Sequence, residues 1–211
     1  MNDNHKPETK QSFIAEARRE QIIEAAIRTL DEIGYVHASL AQIAKRAGIS
    51  TALISYHFAD KNDLMNHLLT KLVELSTAYV LDRVRPANTP EEKLEAFINA
   101  SLAYQGTHPA HNTALIEIVF NARTPDNIPY YKLDDEDEEE DPLARELKTI
   151  LQEGQRQGVF GDFHAGVMCK MIQGAISEYM LTSAHNKETD LETYSNELVK
   201  IVKRAVGKCK N

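Results

Sequence analysis

The chain has 211 residues, of which 42% are hydrophobic, and its formal net charge is −8 at pH 7. This length allows one large domain or two smaller ones, and no apolar run approaches the roughly 18 residues that a membrane span needs. Cys169 and Cys209 lie far apart and the N-terminus has no apolar signal region. We therefore expect a cytoplasmic protein with reduced thiols and no membrane segment.

The first segments of the chain are a polar arm and a long helix. Residues 1–11 are polar and contain Pro7, so we predict a disordered arm there. A helix follows from Thr9 or Ser12 to Ile33, with apolar residues at helical spacing, and Gly34 is predicted to stop it.

Two short helices joined by a glycine turn are predicted next. Ser39 precedes an apolar stripe and Gln42 follows three residues later, which is the capping-box pattern of a helix start. Gly48 suits the left-handed end of that helix, and Ser50 suits the cap of the next one. This arrangement predicts a helix-turn-helix, whose second helix enters the DNA major groove. The predicted DNA-contacting residues are Ser39, Gln42, Ser50, Thr51, Ala52, Ser55, Tyr56, His57 and Lys61.

These residues resemble the DNA-binding domain of the TetR family of bacterial regulators. The resemblance runs from about Arg19 to Leu68, a quarter of the chain, and is carried by Ser39, Ile43-Ala44, Ala47-Gly48-Ile49-Ser50, Tyr56-His57-Phe58, Lys61 and Leu64. It implies that Lys61 contacts the DNA backbone. Ala52, Ser55 and Asn62 depart from residues common in the family, and the first two of these departures alter the recognition surface.

The acidity of the chain is not distributed evenly. Residues 1–72 hold nine Lys/Arg and nine Asp/Glu, and the whole excess of −8 lies beyond them. Eight acids form one run, from Asp134 to Asp141. Charge repulsion is screened over about 8 Å in cell salt. The acidic C-terminal part of the chain, which we call the body, therefore does not prevent the neutral N-terminal part, the head, from binding DNA.

The remaining sequence predicts further helices, so the expected fold is all-α. We predict a DNA-binding domain over 12–60 and a helical ligand-binding and dimerisation domain over 61–211, with an acidic loop over about 123–141. Asp60, Thr89, Pro142 and Asp162 mark helix starts. The last helix is predicted to turn Leu191, Tyr194, Leu198, Ile201 and Val202 inward.

The segment from about 163 to 184 is apolar on more than one side, which predicts two packing partners. The resemblance implies that a helix pair here forms a homodimer, and we assign it to the helices of about 143–157 and 163–184. A two-fold dimer would bind a near-palindromic operator.

The resemblance also implies a small-molecule effector bound by the body. Glu117 is a polar residue on an otherwise apolar segment, so it faces either a ligand cavity or solvent. The candidate ligand residues are Tyr104, His108, Glu117, Phe120, Met168, Met171 and Tyr179, for several of which an ordinary core position is the alternative.

Catalysis and metal binding are not predicted. The chain has no Gly-x-Ser-x-Gly, no phosphate-binding glycine loop and no His-Glu-x-x-His. His108 and His111 are three residues apart but are separated by Pro109 and lack further ligands at suitable spacing. The resemblance implies a repressor that a small molecule releases, and the sequence indicates no cofactor or metal. The alternative is a DNA-binding regulator that a protein partner controls through the body.

Overall fold

The computed structural model describes residues 8–124, 126–132, 141–182 and 189–208. These residues form helices and no β-strand, which confirms the predicted all-α fold. The helices are α1 (Glu8–His37), α2 (Leu40–Ala47), α3 (Thr51–His57), α4 (Lys61–Val84), α5 (Pro90–Thr107), α6 (Pro109–Asn121), α7 (Pro142–Arg156), α8 (Ala165–Thr182) and α9 (Leu191–Val206). None of them is long and apolar enough to be a candidate membrane span.

The chain divides into two compact units. Unit 1 comprises Met1–Leu72 and Ala110–Leu133, and unit 2 comprises Val73–Pro109 and Asp134–Asn211. The sequence predicts a boundary at residue 60, whereas α4 contributes residues 61–72 to unit 1 and α6 belongs to the same unit. The reason is packing, since Ala114 and Ile118 of α6 are fully buried in the core of unit 1.

Unit 1 is built on the apolar stripe of α1. Ile22 and Leu30 are fully buried against Ile43 of α2, Ile54 of α3 and Leu68 of α4. Burial of side chains of this size stabilises the unit by about 1.5–3 kcal/mol each. The core therefore holds the two short helices in place, although neither is long enough to be stable alone.

The ends of α1 differ from the predicted ones. The helix begins at Glu8, so the last residues of the predicted disordered arm are helical, and residues 1–7 lie outside the described part of the chain. At the other end Gly34 leaves the helical conformation, with φ 73° and ψ 168°, before a last turn that reaches His37. Gly34 thus interrupts the helix at the predicted position.

Unit 2 packs α5, α7, α8 and α9 around one core. Its buried residues include Phe97, Leu147, Ile172 and Val202. The predicted capping box at the start of α5 is present, because Thr89 Oγ1 accepts a hydrogen bond from the backbone of Glu92 at 3.2 Å and the Glu92 carboxylate accepts one from the backbone of Thr89.

Two details of the body require correction, and a third lies partly outside the described residues. α8 begins at Ala165, and the backbone of Val167 bonds to the His164 ring at 3.3 Å, so Asp162 lies too early to cap it. Ile201 is 55% exposed instead of facing inward, because its position falls at the edge of the buried stripe of α9. The structure describes α8 as far as Thr182, and the end of the predicted segment, residues 183 and 184, lies outside the described part.

The predicted acidic loop is only partly described. Arg123 and Pro129 form a single β-bridge, and a 3₁₀ turn follows at Tyr130–Lys132. Residues 133–140, which hold most of the acidic run, lie outside the described residues. Its last member, Asp141, caps α7 by accepting a hydrogen bond from the backbone of Leu143 at 3.1 Å.

Candidate nucleic-acid interface

The start of α2 is fixed by a reciprocal cap. Gln42 donates its backbone N–H to Ser39 Oγ at 3.3 Å, and Ser39 donates its backbone N–H to Gln42 Oε1 at 2.9 Å. The Ser39 hydroxyl also lies 3.0 Å from the same amide oxygen. Because these bonds use the Gln42 oxygen, its exposed NH₂ group is the part left to meet a ligand, and it can only donate.

The turn between α2 and α3 has the predicted conformation. The backbone of Gly48 lies in the left-handed region, with φ 68° and ψ 32°, where residues that carry a Cβ are disfavoured. Ser50 then accepts a hydrogen bond from the backbone of Leu53 through its hydroxyl, at 3.2 Å. That hydroxyl keeps its own hydrogen, with which it can donate to a base edge.

Side chains of α1 bind the C-terminal carbonyls of both short helices. Gln21 donates to the Ala47 carbonyl at 2.6 Å, and Arg19 donates to the His57 carbonyl at 3.1 Å. The Arg19 guanidinium also lies 5.3 Å from the centre of the Phe58 ring. The last carbonyls of a helix have no partner inside the helix, so these bonds satisfy them and set the angle between α2 and α3.

An ion pair adds a second link between α1 and α2. Arg46 donates two hydrogen bonds to the Glu32 carboxylate, one of them at 2.8 Å, and its Nε donates to Thr29 Oγ1 at 3.1 Å. The Arg46 hydrogen bond lowers the pKa of Glu32. Arg46 could not be singled out from the sequence, because its pairing with Glu32 forms only when α1 and α2 pack together.

The outward side of α3 is polar and accessible. Thr51, Ala52, Ser55 and Tyr56 are exposed, and the Tyr56 side chain is 81% exposed. His57 is half-buried, with its ring edge-on to Tyr56 at 5.1 Å. This surface offers hydroxyls and a methyl group to base edges, with an aromatic hydroxyl beside them for the backbone.

Lys61 stands in the first turn of α4, next to this surface in sequence. Its ammonium donates to the Tyr35 carbonyl at 2.6 Å and lies 4.0 Å from the centre of the Tyr35 ring. Burial lowers the pKa of Lys61. The helix itself is capped by Asp60, whose carboxylate accepts a hydrogen bond from the backbone of Asp63 at 2.9 Å, as predicted.

The candidate ligand residues do not form one group. Glu117 and Phe120 belong to unit 1, where Phe120 is 53% exposed and Glu117 accepts a hydrogen bond from the backbone of Tyr35 at 2.7 Å. The other candidates belong to unit 2. Glu117 therefore has a partner in the head, which the sequence alternatives of cavity and solvent did not include.

Two of the candidates in unit 2 form an aromatic cluster. The rings of Tyr104 and His108 stack at 4.5 Å, and Tyr79 of α4 packs edge-on against Tyr104 at 5.3 Å. Burial raises the pKa of Tyr104 to about 12. The Arg83 guanidinium lies over the Tyr79 ring, 3.3 Å from its centre.

The remaining candidates lie along α8. Met168 is half-buried against the core of unit 2, and the Tyr179 ring contacts that of Tyr194 at 4.8 Å. Met171 is 46% exposed and lines an apolar groove of about 310 Å³ between α8 and α9. Among the residues that the structure describes, no three His, Cys, Asp or Glu side chains are grouped so that they could hold a metal ion.

Comparison with known proteins assigns the N-terminal part of the chain to a protein family. Residues 22–68 match the family model described as bacterial regulatory proteins of the tetR family. The HTH-type transcriptional regulators BetI of Stenotrophomonas maltophilia and Escherichia coli are each 36% identical, over 85 and 86 residues. The matched region spans 40% of this chain and only 43% and 44% of those relatives.

Solved structures resemble nearly the whole chain. Bacillus subtilis FadR in complex with stearoyl-CoA has a TM-score of 0.73 at 22% identity, over 87% of this chain and 96% of that one. The TetR-family regulator PfmR from Thermus thermophilus has a TM-score of 0.69 at 18% identity, over 92% and 97%. At these identities the likeness establishes the fold, while residues 22–68 carry the assignment. The segment 22–68 therefore belongs to the TetR family of bacterial regulatory proteins, and the described chain has the fold of a solved TetR-family regulator.

Proposed function

We propose that the chain is a repressor that binds a near-palindromic operator as a homodimer and that a small molecule releases it. The observation that carries the DNA-binding part is the exposed polar side of α3, held at a fixed angle by the hydrogen bonds from Gln21 and Arg19. Ser39, Tyr56, His57 and Lys61 position the head on phosphates. Gln42, Ser50, Thr51, Ala52 and Ser55 approach the bases.

The proposed dimer surface lies on α8 and α9. Val167, Met171 and Ile201 are 66%, 46% and 55% exposed, and large apolar side chains exposed on adjacent helices are typical of an interface. We therefore revise the predicted helix pair. The apolar residues of α7, such as Leu147 and Leu151, are buried within unit 2, so α9 replaces α7 as the partner of α8.

The proposed effector site lies in unit 2. The aromatic cluster of Tyr79, Tyr104 and His108 supplies apolar surface with polar edges, a combination usual in small-molecule sites. The fold likeness to a regulator solved with stearoyl-CoA supports such a site. Release requires that the effector bind the DNA-free arrangement more tightly than the bound one.

Selection of bound duplexes from a random library tests the DNA-binding part. We expect recovery of a near-palindromic site whose half-sites are about one turn of DNA apart. Recovery of unrelated sequences at moderate salt, with protein stripped of small molecules, would contradict the proposal.

Thermal melting in the presence of candidate small molecules tests the effector part. A molecule that binds the folded state raises the melting temperature by mass action, and the true effector also lowers affinity for the selected duplex. A protein partner that releases DNA while no small molecule does would favour the alternative regulator instead.

A further inference from the structure

The turn at Tyr35 is held by side chains from two other helices. Its backbone N–H donates to the Glu117 carboxylate of α6 at 2.7 Å, and its carbonyl accepts from Lys61 of α4 at 2.6 Å. The Tyr35 hydroxyl lies 3.3 Å from the side-chain oxygen of Asn62. One residue of the head is thus bonded through its backbone to an anion on one side and a cation on the other.

The absence of a side chain at Gly34 leaves space for the Glu117 carboxylate beside the turn. Its φ of 73° is one that side chains rarely adopt, and a Cβ there would lie 3.2 Å from Glu117 Oε2. Asn121, one turn further along α6, donates to Glu117 Oε2 at 3.3 Å. The carboxylate is therefore oriented from its own helix as well as by the turn that it binds.

We propose that Glu117 is a positioning residue for DNA binding, which orients Lys61 toward phosphate by fixing the Tyr35 backbone between them. The inference rests on the proposed function, because it assumes that Lys61 meets the DNA backbone. Glu117 itself carries the same charge sign as DNA and has no direct role in attracting it.

Preorganisation is the physical basis of this role. A lysine ammonium has three N–H donors, and Tyr35 takes one of them, so two remain for a phosphate. A free lysine side chain loses rotamer freedom when it is ordered on a partner, and that entropy is already lost in a side chain held before binding. The carbonyl can hold Lys61 in one place only if the backbone of Tyr35 is fixed, and Glu117 constrains that backbone through the N–H of the preceding peptide.

The test uses two substitutions at Glu117 and a matched control. Glu117→Met removes the charge and the hydrogen-bond acceptor at similar length, whereas Glu117→Gln removes the charge and keeps an acceptor. Glu20→Met is the control, since Glu20 is also in unit 1 and pairs with a lysine of α4, Lys71, at 2.6 Å. Both methionine variants lose one negative charge, so a general electrostatic effect would raise DNA affinity equally in the two.

We expect Glu117→Met to weaken binding to the selected duplex roughly three- to tenfold and Glu117→Gln to restore most of that loss. Glu20→Met should bind as the wild type does or slightly more tightly. In a Lys61→Ala background, Glu117→Met should cost less than about twofold, because the residue through which it acts is gone. In Glu117→Met the slope of log K against log salt should become shallower and approach that of Lys61→Ala.

A DNA-free measurement completes the test. Hydrogen exchange of the Tyr35 amide should accelerate in Glu117→Met and stay unchanged in Glu20→Met. Equal DNA affinities of the two methionine variants, or an undiminished cost of Glu117→Met in the Lys61→Ala background, would overturn the inference alone. Failure of the wild-type protein to select any duplex would overturn the proposed function as well.

Discussion

Ile201→Asp tests the α8–α9 surface most directly. About half of the Ile201 side chain is exposed in the single chain, and full burial of an isoleucine is worth about 1.5–3 kcal/mol. A two-fold interface contains each residue twice, so covering the exposed halves contributes about that amount per dimer. The substitution should therefore weaken dimerisation at least about tenfold, since 1.4 kcal/mol corresponds to a factor of ten.

The aspartate adds a second cost in the same direction. It places two carboxylates in the interface, and burying an unpaired charge is unfavourable unless the charge is neutralised. The figure from lost apolar burial is therefore a lower limit. Unfolding is not expected, because the changed side chain is already more than half exposed in unit 2.

Sedimentation velocity across a wide range of protein concentration measures the change. Val36→Asp is the matched control, since Val36 is an apolar residue of unit 1 that is 74% exposed and lies outside the proposed surface. We expect the control to dimerise as the wild type does. An unchanged dissociation constant for Ile201→Asp, or an equal shift for both variants, would refute the assignment of the interface to α8 and α9.

Three other predictions concern the head. Lys61→Ala should weaken binding to every duplex alike and reduce the slope of log K against log salt by about one, as measured by fluorescence anisotropy. Thr51→Ala or Ser55→Ala should change the preferred sequence in a repeated duplex selection, whereas equal losses on specific and random DNA would exclude base readout. Glu32→Gln should lower the melting temperature at neutral pH. Because Arg46 depresses the folded-state pKa of Glu32 below its ordinary 4.5, the pair stabilises the fold above that value and its contribution is lost as pH falls through the folded pKa. The difference between Glu32→Gln and wild type should therefore shrink in acid.

The helix-turn-helix could be predicted because its determinants are local. A serine cap, a glutamine three residues later and a left-handed glycine act within a few residues of one another, so Ser39, Gln42 and Gly48 are readable without knowledge of packing. The same holds for Thr89 and Glu92 at the start of α5. At each of these places the local signal and the fold agree.

The membership of α6 in the head could not be predicted in this way. An apolar stripe that contains Ala114 and Ile118 shows that a helix is buried on one side, but it does not identify the core that buries it. The same reasoning applies to the helix that pairs with α8 in the proposed dimer, for which the sequence predicts α7 and the exposure of Ile201 favours α9. By its spacing in sequence Ile201 belongs to the apolar stripe of α9. Only the folded unit shows that this stripe extends beyond the residues that the core buries.

Lys61 shows that an explanation from local sequence can be incomplete. A lysine in the first turn of a helix opposes the helix dipole, and from the sequence a phosphate was the partner that explained it. In the folded chain the Tyr35 carbonyl and ring already face the ammonium, so part of the unfavourable position is compensated before any DNA is bound. The two explanations are compatible, because a partner that takes one of three donors both stabilises the lysine and presents the rest. On our proposal their relative weight depends on how firmly the Tyr35 backbone is held, and Glu117, a residue 82 positions away in sequence, contributes a hydrogen bond to it.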